Sequence, residues 1–183
     1  MATPLGHSLS GLIIYWLFGH HHETEAKTDS FRINWGLLLF IIFIANLPDL
    51  DFLPGFLTGS LNKHHHGLIH SFGLVVLVTP LLSWFLVKFF KINFFKSTGL
   101  IFLILATHLF IDYFTQDLSP PYGTRLLWPL SSKFYNSCIW IFPPFWRDSW
   151  GEVFSYKNFI CLLVEVIFFG SLFYLTTRCK KKN

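Results

Sequence analysis

Apolar residues in this chain come in unbroken blocks, each about the length needed to cross a lipid bilayer, and that arrangement leaves few folds open. Four blocks carry the argument: Ile33 to about Leu47, Gly67 to Val87, Thr98 to Thr115, and Asn158 to Thr177. Each is roughly 15 to 21 residues long, near the ~20 that a helix needs to cover the hydrocarbon layer. A half-buried helix or strand would alternate polar and apolar positions with a period of 3.6 or 2, and these blocks do neither. Composition agrees, because a soluble domain of 183 residues has no interior large enough for 52% hydrophobic residues with only 13% charged. A fifth block, Leu5 to Phe18, is shorter and carries His7, Ser8 and Ser10, which suits a half-buried helix packed on the others. The expected fold is all-α: a single membrane domain over residues 1–183, a polytopic helical bundle of four to five spans (about 5–18, 33–47, 67–87, 98–115 and 158–177). With no basic region ahead of it and no small-residue cleavage site after it, Leu5 to Phe18 reads as a retained segment.

The formal charge of +4 sits beside the apolar blocks, where Lys and Arg set membrane orientation, so no nucleic-acid partner is expected. The tail Arg178, Lys180, Lys181, Lys182 marks a cytoplasmic C-terminus. Tracing back, the loop with Lys88, Lys91 and Lys96 also falls inside, as the same rule requires, and the stretch from Gln116 to Lys157 falls outside. That outer stretch holds Trp128, Trp140, Trp146 and Trp150 among Pro120, Pro121, Pro129, Pro143 and Pro144, a composition that opposes a long helix. Its tryptophans suit the headgroup layer, where the ring is buried and the indole N–H stays wet; a lid or substrate platform is the alternative. Cys138, Cys161 and Cys179 are far apart and lack metal or disulfide spacing.

Polar residues inside or at the ends of the spans form a short set: His7, Asp49, Asp51, His65, His70, His108 and Asp112. Under the charge-ordered topology all of them lie toward the outer side. His108 and Asp112 are four apart on a predicted helix and so share a face, one turn from each other. Asp49 and Asp51 flank Leu50 just after Pro48, where two acids this near lipid repel unless a cation lies between them. The run His64-His65-His66-Gly67-Leu68-Ile69-His70 adds nitrogen donors, and Gly67 lets the chain turn close to the site. Mixed imidazole and carboxylate ligands favour zinc, with manganese or iron as alternatives. Seven candidates exceed one tetrahedral ion and suit two, with a bridging carboxylate and an activated water, an arrangement familiar from phosphate-ester hydrolysis.

Each residue alone also has a structural reading: Asp49 as a cap, Asp112 on a backbone group, His7 as a hydrogen bonder between helices. Their gathering on one face is what favours a metal. The triplet His20, His21, His22 falls on the opposite side and reads as a solvated loop. Glu165 lies about two turns inside the last span, where a protonated, hydrogen-bonded carboxyl in the bundle is expected, with a late ligand or proton relay as the alternative.

Taken together, His7 with Gly11, then Leu47-Pro48-Asp49-Leu50-Asp51, then His65-His66-Gly67-Leu68-Ile69-His70-Ser71, then His108-Leu109-Phe110-Ile111-Asp112 with Thr115, Gly123 and Trp128-Pro129, resemble the YdjM-like family of bacterial inner-membrane metal-dependent hydrolases. The resemblance covers His7 to about Pro129. That family is similar at a distance to zinc-dependent phospholipase C and the S1/P1 nucleases, so the resemblance implies phosphoester hydrolysis by analogy. It also implies that His7, Asp49, His65, His70, His108 and Asp112 are ligands, with Asp49 as the bridging, catalytic carboxylate and Asp51 the other acid of the motif.

Two departures matter. His66 stands where the family usually has Arg, which removes a fixed cation from the phosphate side. No histidine follows His108, so the second His-x-x-x-Glu pair of the soluble relatives is missing, and two metals are expected rather than three. The expectation is thus an inner-membrane hydrolase with an outward-facing di-metal site, acting on a small-molecule or lipid phosphoester such as a phospholipid headgroup. The rivals are a haem protein ligated through His70 and His108, and a metal transporter without hydrolase activity.

Overall fold

The computed structural model of the chain describes residues 2–19, 34–52, 54, 67–118, 120, 122–146 and 150–180. Its helices start where the sequence sets a capping side chain ahead of an apolar run. Thr3 opens α1 (Pro4–Ile14) by accepting the Gly6 N–H at 3.2 Å, and Pro4 occupies the first helical position, where its missing N–H has no bond to lose. A π-helical turn, Tyr15–Gly19, continues α1. Asn34 caps α2 (Trp35–Ala45) through the Leu37 N–H at 3.0 Å, and a 3-10 turn, Leu47–Asp51, follows it. Ser71 caps α3 (Phe72–Phe90), and Asn93 caps α4 (Phe94–Tyr113). Between those two helices Lys91 adopts a left-handed φ of 56°, and its N–H returns to the Val87 carbonyl at 3.0 Å, which turns the chain so that α3 and α4 pack together. A short α5 (Trp150–Val153) and a long α6 (Tyr156–Lys180) complete the order.

Helices α3, α4 and α6 are long and apolar enough to cross a membrane. The eleven residues of α2 rise only about 17 Å, against the ~30 Å of a hydrocarbon core. Among the described residues there is no β-strand, only isolated bridges at Thr115–Phe142 and Thr124–Tyr135. Helix α4 is the centre of the bundle: 50% of its apolar stretch is buried, against 22% for α3 and 17% for α6. Its Ile101, Ile104, Leu105 and Leu109 pack with Ile41 and Ile44 of α2 and Leu86 of α3. Helix α1 lies against α2, α4 and α6, and Gly11 permits the close approach to α2, since a Cβ there would sit 2.7 Å from the Ala45 Cβ. The outward faces carry Leu39, Leu81 and Ile167, all well exposed, a surface suited to hydrocarbon rather than water.

One boundary differs from the sequence expectation in a way that bears on the site. The expected span from Gly67 becomes a helix only at Phe72, because the Ser71 hydroxyl accepts the Leu74 N–H and so starts the helix there; His70 is left in the bend before it. The stretch after α4 is irregular, as its Pro and Trp content predicts, and it folds back over the helix ends. The Phe72 N–H donates to the Leu126 carbonyl at 2.9 Å and the Gly73 N–H to the Trp128 carbonyl at 3.0 Å, so two of α3's otherwise unpaired first N–H groups are satisfied by this stretch. Farther on, the Ile141 N–H donates to the Phe114 carbonyl at 2.8 Å, just past the end of α4.

Candidate metal centre

Five side chains from four local structures meet at one end of the bundle. His7 comes from the first turns of α1, Asp49 from the 3-10 turn after α2, His70 from the bend before α3, and His108 and Asp112 from the last turns of α4. His7, His70, His108 and Asp112 are each at most 3% exposed, and the Asp49 side chain is nearly as buried. The Nε2 of His70 lies 3.5 Å from Asp49 Oδ1 and 3.3 Å from Asp112 Oδ2. The Nε2 of His108 faces the same two oxygens at 3.6 and 3.2 Å. The Nε2 of His7 faces the opposite oxygens, Asp112 Oδ1 at 3.4 Å and Asp49 Oδ2 at 3.9 Å. Its ring stacks on that of His108 with centroids 3.7 Å apart.

Hydrogen bonds behind the rings aim two of the imidazoles. His108 Nδ1 donates to the Ala45 carbonyl at 2.7 Å, and His70 Nδ1 donates to Asp51 Oδ2 at 3.0 Å. With the proton on Nδ1, each Nε2 lone pair points into the cluster, the pattern by which outer groups orient metal-binding histidines. Asp112 is held from outside by the Ala2 N–H, which donates to Oδ1 at 3.1 Å.

These residues fit a metal by their chemistry. His7 Nε2, both Asp49 oxygens and Asp112 Oδ2 are buried without a hydrogen-bond partner among the described residues, a costly state for polar groups facing one another. Ligands held at 2.0–2.2 Å in a tetrahedron are about 3.3 to 3.6 Å apart, and the nitrogen–oxygen separations here, 3.2 to 3.9 Å, straddle that edge length. His7, Asp49, His108 and Asp112 alone offer four ligand atoms lying within 4.8 Å of one another.

Asp51 joins the site from one step away, bonded to His70 Nδ1 and, at 3.4 Å, to the Gly67 N–H. His65, with His64 and His66, lies outside the described residues, as do His20, His21 and His22. Glu165 is buried but away from the cluster: its Oε1 accepts the Thr3 N–H at 2.8 Å, its Oε2 bonds the Thr3 hydroxyl, and a Cβ on Gly6 would come within 2.6 Å of Oε2. The carboxylate therefore sits on the N-terminal end of α1 and holds the helix that presents His7. Sequence reading did not identify Thr3 in this role, although Thr3-Pro4 ahead of an apolar run is a helix-start pattern. The carbonyl of Ala45 left no sequence signal, because any residue supplies one.

The whole chain, residues 1–183, matches the YdjM inner membrane protein family. The chain belongs to that family. No curated protein and no solved structure matches it. Membership agrees with the three membrane-length helices, so this YdjM protein is a membrane protein carrying a possible metal-binding group of histidines and aspartates.

Proposed function

We propose that this YdjM protein is a membrane-bound hydrolase of phosphoesters whose buried cluster holds two divalent metal ions, zinc or manganese. The observation that carries the metal reading is the division of the two carboxylates: Asp49 and Asp112 each turn one oxygen to His70 and His108 and the other to His7. His70, His108, Asp49 Oδ1 and Asp112 Oδ2 would hold one ion, and His7, Asp49 Oδ2 and Asp112 Oδ1 the other. Metal bound there supplies Lewis-acid polarisation of a phosphoryl oxygen and a nucleophilic water at neutral pH. Asp49, whose two oxygens would both be ligands, would orient that water. In the net step the water oxygen joins phosphorus, one P–O ester bond breaks, and the ester oxygen leaves as the alcohol with the proton the water gives up. Asp51 acts through His70, as an orienting group. The hydrolytic reading follows by analogy from the distant similarity to phospholipase C and the S1/P1 nucleases that the motif resemblance implies for the family. In the same reading the Lys-rich tail is cytoplasmic and the centre faces the outer side.

A haem between His70 and His108 is disfavoured, because their Nε2 atoms are 3.4 Å apart with Asp49 and Asp112 against both. Metal analysis of the purified protein with a phosphodiesterase assay tests the proposal. The expected result is about two ions per chain, and loss of both metal and turnover in Asp49→Asn, His108→Ala and Asp112→Asn. Unchanged metal content in all three variants would sink it.

A further inference from the structure

A groove of about 430 Å³, almost wholly apolar, runs between α3 and the stretch that folds back over it. Phe72, Val76 and Leu77 line one wall, and Leu127, Trp128 and Leu130 the other. It exists because Gly73 has no side chain: a Cβ there would lie 2.3 Å from the Trp128 carbonyl oxygen, so the two walls meet at backbone. One end is fixed by the Phe72–Leu126 and Gly73–Trp128 hydrogen bonds, and Phe72 is two residues from His70. From there the groove follows a membrane-length helix along residues that are open to the surroundings, Val76 and Leu77 being 59% and 60% exposed.

A cation lies next to that end in the chain. Arg125 precedes Leu126 directly, its Nε is buried without a hydrogen-bond partner, and its guanidinium lies 5.0 Å from the centre of the Phe134 ring. Among the described residues no carboxylate forms an ion pair with it. A half-buried guanidinium lacking an anion is matched by a phosphate, which it binds through paired N–H groups.

We propose that the groove and Arg125 together take an anionic membrane lipid, with one acyl chain along the groove and its phosphate on Arg125 at the mouth of the metal centre. The inference rests on the hydrolase reading only for what happens to that phosphate; the binding stands on the groove and the charge. An apolar groove on a spanning helix meets acyl chains at bilayer concentration, and the unpaired cation selects among headgroups. The substrate class is then a lipid phosphoester entering sideways from the membrane rather than a soluble one.

The test uses full-length, metal-loaded protein in mixed micelles containing acyl-brominated phosphatidic acid or phosphatidylcholine, and reads fluorescence quenching. The contribution of Trp128 is taken as the difference between the wild type and Trp128→Phe. The expected result is that phosphatidic acid quenches Trp128 at about tenfold lower mole fraction than phosphatidylcholine, the size of one charge-assisted hydrogen bond. Arg125→Gln should erase that preference while keeping bound metal, and Val76→Phe should weaken quenching by both lipids. Equal quenching by the two lipids, or a preference that survives Arg125→Gln, would overturn the proposal. Phosphate release from phosphatidic acid is measured in parallel. Selective quenching without release sinks the hydrolase reading and leaves the lipid site, whereas release without selective quenching does the reverse.

Discussion

Removing Asp51 separates a ligand from a group that aims one. Its Oδ2 sits 3.0 Å from His70 Nδ1, on the far side of the ring from the Nε2 that faces Asp49 and Asp112. Asp51→Ala leaves a buried Nδ1–H without its anionic partner and frees the ring to rotate or change tautomer. A hydrogen bond to a charged group contributes about 1.5 to 3 kcal/mol. At 1.4 kcal/mol per decade that is roughly a 10- to 150-fold loss of metal affinity, which agrees with the 10- to 100-fold typical of outer groups. Asp51→Asn keeps an acceptor of similar shape without the charge and should fall at the low end, near tenfold. The assay is equilibrium dialysis of purified protein against buffered free zinc, followed by elemental analysis. Both variants should reach the wild-type stoichiometry at saturating zinc, with only the midpoint displaced. A lost equivalent of zinc at saturation would make Asp51 a ligand, and an unmoved midpoint in Asp51→Ala would remove the argument that His70 is aimed from behind.

Other perturbations separate the parts of the site. His7→Ala should lower the metal content by about one ion per chain and leave the set around His70 and His108 filled, as counted by elemental analysis; loss of all metal would refute the division of the carboxylates. Gly6→Ala forces a Cβ to within 2.6 Å of Glu165 Oε2, and Thr3→Val removes the cap of α1. Each should cost about 1 to 3 kcal/mol of stability, read as a lower thermal midpoint in detergent, and wild-type midpoints in both would deny that Glu165 holds α1. Gly73→Ala should lower the midpoint too, because the atom it meets at 2.3 Å is backbone and cannot swing aside. Reporter fusions should place the C-terminal tail in the cytoplasm and residues 116–157 outside; a tail reported outside would reverse the orientation drawn from Lys and Arg.

The parts of this architecture legible in the sequence were those written in local patterns. Apolar blocks marked the three membrane-length helices, and a polar residue inside such a block is costly enough that His108 and Asp112 announced themselves. The bend at His70 was less visible, since Gly67 to Val87 reads as one apolar run until Ser71 is recognised as a cap. The division of labour between Asp49 and Asp51 was hidden, because two carboxylates separated by one residue look alike until a 3-10 turn sends one to the cluster and the other behind a ring. Contacts between distant parts of the chain left least trace. The Ala45 carbonyl on His108 and the Leu126 carbonyl on Phe72 use groups that every residue carries, so no choice of side chain betrays them.

The bond between Thr3 and Glu165 also sets an order of assembly. His7 is among the first residues synthesised, yet the helix that carries it is held at its start by a carboxylate 162 positions later. Until the last helix has entered the membrane, α1 packs on α2 and α4 but lacks the bonds that hold its start, so a chain cut before Glu165 would keep every candidate ligand and lose the hold on the helix that presents His7.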